Sequence, residues 1–469
     1  MRLKNWFRAA AALSLVALGV PAHALSGTDV SHLVNQRYQS TPSRCFVDKP
    51  AYACSGVLLR AVAAGAGDFW RLGSDETTTG IARLSYARRD MPQPDLPSPV
   101  GFVLADVPSA AGDGRPYELR CGCPPLASTL PACADCPSDP NEVGVNTWNV
   151  NAPVTIPIQA IFYDVGHGGQ LTQALQYQKQ YYDATRQWVP ILRTLLADKG
   201  ASAFGFDERD QLDWGYKVVK DLDARFVDLR MTCPGNTPGY ACSGILIRDS
   251  GYGTAFHSWN PSPNSQARNG VSFSYARSDM NMRTTAGLGP GVIMRELQAP
   301  TAHPLQWRCA FPTNACTACG GYRSDSCNTG SDYRLCDARG IDTAEQWLTS
   351  YRYAPGDACG LAPTVAQFET FAALRQTFTA SHDEIIIAPW PQDIPMQIPL
   401  QALYYPSAGA KPGAQYIQND YMNTTGHFMP ILYVDLTQPA GSVFTYDPDD
   451  QQGALSHSVL AIFGAGHRD

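Results

Sequence analysis

Short, largely apolar runs of four to eight residues recur along the chain and predict β-strands. They fall at residues 56–61 and 244–248, at 156–163 and 398–405, and at 384–387, where Glu384 opens a β-branched run stopped by Pro389. Residues 271–276 alternate instead, Val-Ser-Phe-Ser-Tyr-Ala, which predicts a half-buried strand with Ser272 and Ser274 on one face. A period near 3.6 appears at residues 170–188, 415–428 and 365–378, and predicts helices. In the last of these, Phe368, Phe371, Ala372 and Leu374 share one face. The expected class is α+β, mostly antiparallel, with disulfide-stapled loops.

The pattern occurs twice. Cys45, Pro50, Tyr52, Ala53, Cys54, Ser55, Gly56 and Arg60 align without a gap on Cys233, Pro238, Tyr240, Ala241, Cys242, Ser243, Gly244 and Arg248. Further on, Trp70, Ser85-Tyr86-Ala87-Arg88 and Asp90-Met91 match Trp259, Ser274-Tyr275-Ala276-Arg277 and Asp279-Met280. Glu142-Val143, Gln159-Ala160, Tyr163, Tyr181 and Pro190-Ile191-Leu192 match Glu384-Ile385, Gln401-Ala402, Tyr405, Tyr421 and Pro430-Ile431-Leu432. A period of roughly 190 to 240 residues denotes a duplicated domain, since solenoid units are far shorter. The expected organisation is a leader at 1–24, a first unit at 25–205, a second at 206–453 and a tail at 454–469. The second unit carries roughly 60 extra residues between Cys319 and Asp383.

Residues 1–24 have the three parts of a secretory signal. Arg2, Lys4 and Arg8 precede an apolar run over residues 9–20, and Ala22-His23-Ala24 forms a small-x-small cleavage site. No Cys follows that site, which argues against a lipid anchor, and the run is too short to span a bilayer. A secreted or periplasmic location is expected. All 14 Cys lie beyond the leader, six before residue 200 and eight after, which favours disulfides closed within each half. Removing the leader leaves 32 Lys and Arg against 42 Asp and Glu, a net charge near −10. That balance speaks against nucleic acid and anionic membranes as partners.

Three chemistry-bearing features recur in order in each copy. A strand ends on Arg60 or Arg248, a second strand carries Ser85 or Ser274 before an aromatic residue, and a later strand opens with Glu142 or Glu384. Their order resembles the Arg–Ser–Glu class of ADP-ribosyltransferases. The likeness rests on Leu246-Ile247-Arg248-Asp249, Ser272-Phe273-Ser274 and Glu384-Ile385-Ile386-Ile387-Ala388-Pro389. The second unit as a whole is similar to the halovibrin group of secreted bacterial proteins, described as ADP-ribosyltransferases or NAD glycohydrolases. Phe256-His257-Ser258-Trp259-Asn260-Pro261-Ser262-Pro263 and Gly270-Val271-Ser272-Phe273-Ser274-Tyr275 carry that similarity.

The resemblance implies two tandem ADP-ribosyltransferase-like split-sheet units, with NAD as substrate and no resident cofactor. Cleavage of the nicotinamide–ribose bond passes through an oxocarbenium-like ribose. Glu384 would stabilise that charge, Arg248 would clamp the pyrophosphate, and Ser272 and Ser274 would orient the reacting groups. Trp259 or Tyr275 would stack on nicotinamide, with His257 beside them. In transferases that modify Arg, an acidic residue or Gln stands two before the catalytic Glu. Here His382 and Pro140 take that place, which leans toward water or another acceptor. Unit one has Arg83 in place of Ser272 and Ala61 in place of Asp249, so the second unit is the expected catalytic copy.

Other readings of the same residues are plainer. Arg277 with Asp279, and Arg88 with Asp90, fit structural ion pairs, and Trp148, Trp390, Tyr181 and Tyr421 fit the core. Cys133/Cys136 and Cys316/Cys319 have the spacing of half a zinc site, but exported cysteines are more often disulfides, so no metal is expected. No Gly-x-Ser-x-Gly elbow or His-Glu-x-x-His motif is present. The alternative to an enzyme is a duplicated, non-catalytic protein that binds a carbohydrate or a surface.

Overall fold

The structure is a computed structural model. It describes residues 26–42, 55–62, 69–71, 73, 76, 78, 81–104, 119–122, 141–146, 158–197, 202–250, 257, 259, 270–281, 289–295, 306–313, 335–353, 359–377, 383–388 and 399–451. The expectations placed on the leader, the tail, Trp148, Trp390, His382 and the paired cysteines at 133/136 and 316/319 lie outside these residues. The chain divides into two compact units, Met1–Glu208 and Arg209–Asp469. Both are mixed α and β, as expected.

Unit one contains, in order, α1 (Gly27–Gln39), β1 (Val57–Ala61), β2 (Ile81–Ala87), β3 (Val100–Leu104), β4 (Leu119–Gly122), β5 (Glu142–Asn146), β6 (Ile158–Asp164), α2 (Leu171–Thr185), β7 (Ile191–Thr194) and β8 (Phe204–Gly205). The strands form one sheet in the order β4-β5-β2-β1-β3-β6-β7-β8. Every pairing is antiparallel except β6 with β7, where α2 makes the crossover that parallel neighbours require.

Unit two contains α3 (Trp214–Val227), β9 (Thr232–Cys233), β10 (Thr237–Pro238), β11 (Ile245–Asp249), β12 (Val271–Ala276), β13 (Gly291–Met294), β14 (Gln306–Phe311), α4 (Ala344–Tyr353), α5 (Val365–Thr377), β15 (Glu384–Ala388), β16 (Leu400–Tyr405), α6 (Lys411–Thr425), β17 (Ile431–Val434) and β18 (Phe444–Tyr446). Its sheet runs β14-β15-β12-β11-β13-β16-β17-β18, strand for strand the order of unit one, and β16–β17 is again the parallel pair.

The two frames also share their local devices. The helix before each sheet buries residues four apart, Val30, Val34 and Tyr38 in α1 and Val218, Leu222 and Phe226 in α3. Near each helix end a carbonyl, Arg37 or Arg225, accepts the backbone N–H of Gly56 or Gly244 at 2.7 Å. Both glycines hold positive φ, +67° and +61°, against the ring of Tyr86 or Tyr275, where no other residue fits. The later helix of each unit buries a glutamine. Gln178 Nε2 donates to the Val189 carbonyl at 2.8 Å, and Gln418 Nε2 to that of Met429 at 2.7 Å, fixing the turn into the parallel strand.

The expected helices at 170–188 and 415–428 are shorter at their C-terminal ends. Thr185 and Thr425 return their hydroxyls to the carbonyls of Tyr181 and Tyr421, and Arg186 and Gly426 turn left-handed. Helix α6 starts earlier than expected, at Lys411, because Pro412 and Gly413 disguise its first turn.

In unit two the residues between Cys319 and Asp383 supply α4 and α5. The Cys336–Cys359 disulfide and a hydrogen bond from Trp347 Nε1 to the Cys359 carbonyl (3.2 Å) anchor this segment. Phe368 and Phe371 of α5 then pack on Tyr240 and Tyr275. A second disulfide joins Cys233 of β9 to Cys242, which follows β10 by four residues. Among the described residues no cysteine is free, and no helix is long and apolar enough to cross a membrane.

Each central strand is gripped by a glycine on its neighbour. A Cβ at Gly101 would lie 2.0 Å from the Arg60 carbonyl oxygen, and one at Gly291 would lie 2.1 Å from that of Arg248. The motif arginines are therefore positioned by backbone contact. Gly291→Ala is expected to destabilise the protein by about 1–3 kcal/mol through overpacking. Gly289→Ala, whose Cβ meets nothing within 4 Å, should stay near wild type. Urea unfolding checks both, and equal stability of the two variants would refute the contact.

Candidate functional site

The three motif strands of unit two are consecutive neighbours, β15-β12-β11. Val271 faces Ile387, Ser272 faces Ile386 and Phe273 faces Ile385, and the same register places Ser274 opposite Glu384. On its other side Ser274 faces Ile247. Glu384, Ser274 and Ile247 thus form one row across the sheet. In unit one the equivalent row is explicit, with Ser85 opposite both Glu142 and Leu59.

Residues directly opposite share a face, so Ser274 and Glu384 are brought together on one pleat, with Ser272 two residues along. Arg248 lies one residue beyond the row. Its cross-strand partner is Val292, on the opposite pleat from Ser274. Register therefore unites the serines with the glutamate and sets the arginine at the strand end beside them, leaving the sheet by its other face.

The strand-end guanidinium is half-buried. Its Nη1 is buried with no hydrogen-bond partner among the described residues, and burial lowers the pKa of Arg248. An unpartnered buried N–H is costly, and an anionic ligand would satisfy it. Next to it, Asp249 Oδ1 accepts the Tyr404 hydroxyl at 2.5 Å. Unit one has Ala61 and Phe162 in the corresponding places.

Glu384 is only 2% exposed and opens β15 between Phe311 of β14 and Ser274 of β12. The residue that sets this arrangement is its neighbour, Asp383. Asp383 Oδ1 accepts the Tyr275 backbone N–H at 2.7 Å, and its carbonyl accepts the Ser274 hydroxyl at 3.2 Å. Its other oxygen forms an ion pair with Arg375 Nε at 3.0 Å, both side chains fully buried. Arg375 also donates to the carbonyls of Pro312 (3.3 Å) and Asn281 (3.2 Å). One side chain from α5 thereby ties together the end of β14, the segment after β12 and the start of β15. Unit one has Asn141 in place of Asp383.

Asp383 and Arg375 escaped sequence reasoning. The only signal was an acidic doublet, Asp383-Glu384, ahead of a dense apolar strand, with α5 read as a helix but not as a source of charge.

Two expectations need correction. Tyr275 offers no ring face to a ligand. It is wholly buried against Phe368 and Phe371, its hydroxyl donates to the Ser243 carbonyl at 3.1 Å, and burial pushes its pKa up to about 12. Trp259 is enclosed as well. Tyr421 meets it edge-on at 5.3 Å, and the His257 ring covers one face at 4.4 Å and 18°. The aromatic surface presented outward is that of His257, whose Nδ1 lies 3.1 Å from Asp420 Oδ2. The alternation of residues 271–276 already sets Tyr275 on the apolar face with Val271 and Phe273, the face that α5 covers, so a stacking role for its ring conflicted with the pattern itself.

The ion pairs read as structural are so. Arg277 binds Asp279 through two contacts of 2.6 and 3.0 Å, and Arg88 binds Asp90 through two of the same lengths. Tyr181 is buried, as expected.

In unit one the motif charges are paired. Arg60 Nη2 contacts Glu76 at 2.6 Å, and Arg83 Nη1 contacts Glu142 at 3.0 Å. No protein-family model matches the chain, and no curated protein matches it.

The Asp383–Arg375 pair yields two expectations. Arg375→Leu leaves a buried charge uncompensated and should cost roughly 3–5 kcal/mol, while Arg375→Leu with Asp383→Leu should recover part of the loss. Burial raises Asp383 from 3.8 to about 6, with Arg375 opposing the rise. The folded state then binds this proton more readily than the unfolded chain, so its contribution is full below 3.8 and lost as pH rises through about 6. Urea titrations across that window should show wild type losing stability relative to Asp383→Asn. A constant difference would contradict the raised value.

Proposed function

We propose that the protein is an exported enzyme that cleaves the nicotinamide–ribose bond of NAD, and that its two units are tandem copies of an ADP-ribosyltransferase-like domain. The observation that carries the reading is the row across β15, β12 and β11, with Glu384 directly opposite Ser274 and Arg248 one residue past its end. Ser272, Ser274 and Glu384, far apart in sequence, share one pleat, and Arg248 stands at the adjacent strand end on the other.

In this reading water, or another acceptor, attacks the ribose carbon that bears nicotinamide. The carbon–nitrogen bond breaks and nicotinamide leaves with the bonding pair. Glu384 faces the ribose, stabilises the positive charge that develops there and holds a ribose hydroxyl. Ser274 and Ser272 position the same end of the dinucleotide. Arg248 anchors the pyrophosphate at the strand end, where its buried Nη1 awaits an acceptor. A dinucleotide is long enough to pass around a strand end, so these groups need not share one pleat. His257, not Trp259 or Tyr275, supplies the aromatic face.

The competing reading is a duplicated protein that binds carbohydrate. It would use exposed aromatic platforms, and the enclosure of Trp259 and Tyr275 removes two of the aromatic residues available for that purpose.

Release of nicotinamide from NAD by the purified, oxidised chain tests the reading. Glu384→Gln keeps the size and removes the charge, and should lower turnover by roughly 10²–10³-fold. Glu142→Gln should leave the rate within about twofold. Full turnover by Glu384→Gln would dismiss the assignment, and no release by wild type with any acceptor would favour the binding protein.

A further inference from the structure

Three donors from three places converge on the carboxylate of Glu76 in unit one. Arg60 Nη2 reaches Oε2 at 2.6 Å, the Gly73 backbone N–H reaches the same oxygen at 2.8 Å, and the Arg83 backbone N–H reaches Oε1 at 3.3 Å. A guanidinium with two main-chain N–H groups is a donor set suited to the oxygens of a phosphate group. In unit one the anion it holds is the chain's own side chain. The next charge along is also neutralised, since the Arg83 guanidinium contacts Glu142 Oε1 at 3.0 Å.

Unit two lacks both of these side chains. Trp70 to Ser85 and Trp259 to Ser274 have equal lengths, and the gapless match puts Ser265 at the place of Glu76 and Ser272 at that of Arg83. The arginines themselves are alike. Each is half-buried, ends its apolar run, is gripped at its carbonyl by a glycine and keeps a buried Nη1 without a partner among the described residues. They differ in that Arg60 holds a carboxylate on Nη2.

We propose that unit one is a silent copy whose anion cradle is filled from within by Glu76 and whose motif glutamate is neutralised by Arg83. Glu76 lies three residues from Gly73 and is tethered to the cradle, so an external anion competes against an effective concentration in the millimolar range or above. A ligand bearing a diphosphate then meets a closed cradle in unit one, whereas the sequence beside Arg248 has no carboxylate in the place of Glu76. The closure of unit one follows from its own ion pairs and holds whether or not Glu384 cleaves NAD.

Titration calorimetry of the full oxidised chain with inorganic pyrophosphate tests the closure. The background is Arg248→Gln, which removes the anchor of unit two. In that background Glu76→Ser should tighten pyrophosphate binding at least about tenfold, at one site per chain. Adding Arg60→Gln should abolish the gain. If Glu76→Ser brings no tightening while circular dichroism and the melting temperature show the fold intact, the cradle is not an anion site and the proposal falls. Should Glu76→Ser unfold unit one, Glu76→Gln, which keeps the size and an acceptor but not the charge, is judged by the same criterion. The readout is anion binding rather than nicotinamide release, so failure of the NAD reading would leave this result interpretable.

Discussion

The candidate site depends on the register between the strand opened by Glu384 and the strand carrying Ser272 and Ser274. A slip of one residue would send Glu384 to the other face of the sheet, away from both serines. Apolar pairing of Ile385, Ile386 and Ile387 with β12 favours a register but does not choose it alone, because three consecutive isoleucines suit either face. The choice is made by Asp383, which binds the Tyr275 amide and receives the Ser274 hydroxyl where the two strands first meet. A buried carboxylate is tolerable only if paired, and Arg375 from α5 pairs it. The inserted segment therefore has a definite task in unit two. It pins the glutamate strand, and its own disulfide and the buried Trp347 hold it in place.

The two units show how one frame carries different electrostatics. Strand order, glycine contacts, the buried glutamines and the tyrosine bonds under the first strand are common to both. What changes is a handful of side chains along the motif row. Unit one places a carboxylate on its arginine and a guanidinium on its glutamate, and so balances its charges internally. Unit two has serine in both sequence positions, while a buried Nη1 without a partner among the described residues is common to Arg60 and Arg248. Internal pairing of this kind stabilises a fold at the expense of ligand binding.

Much of the frame was legible in the sequence because it follows simple periods. The strands at 244–248, 271–276 and 384–387 appear within a residue of the expected bounds, and α5 matches the period of its apolar face. The central strands β3 and β13 went unread, since Val-Gly-Phe-Val-Leu and Gly-Val-Ile-Met are short and contain the glycines that their neighbours require. Helices α1 and α3 were missed because each buries only three large apolar side chains, which sit among polar residues. At the site, Arg248, Ser274 and Glu384 were found by their order along the chain. The pleat on which each lies, the enclosure of Trp259 and Tyr275, and the roles of Asp383, Arg375 and Glu76 depend on contacts between distant segments. No local period encodes such contacts.

Hydrogen exchange of the full oxidised chain with and without NAD, read by peptide mass spectrometry, tests the central claim most directly. That claim is that ligand meets the row of unit two and is excluded from the matching row of unit one. The account predicts slowed exchange in β11, β12 and β15 on adding NAD, with β1, β2 and β5 unchanged. Equal protection of both rows, or protection confined to unit one, would contradict it.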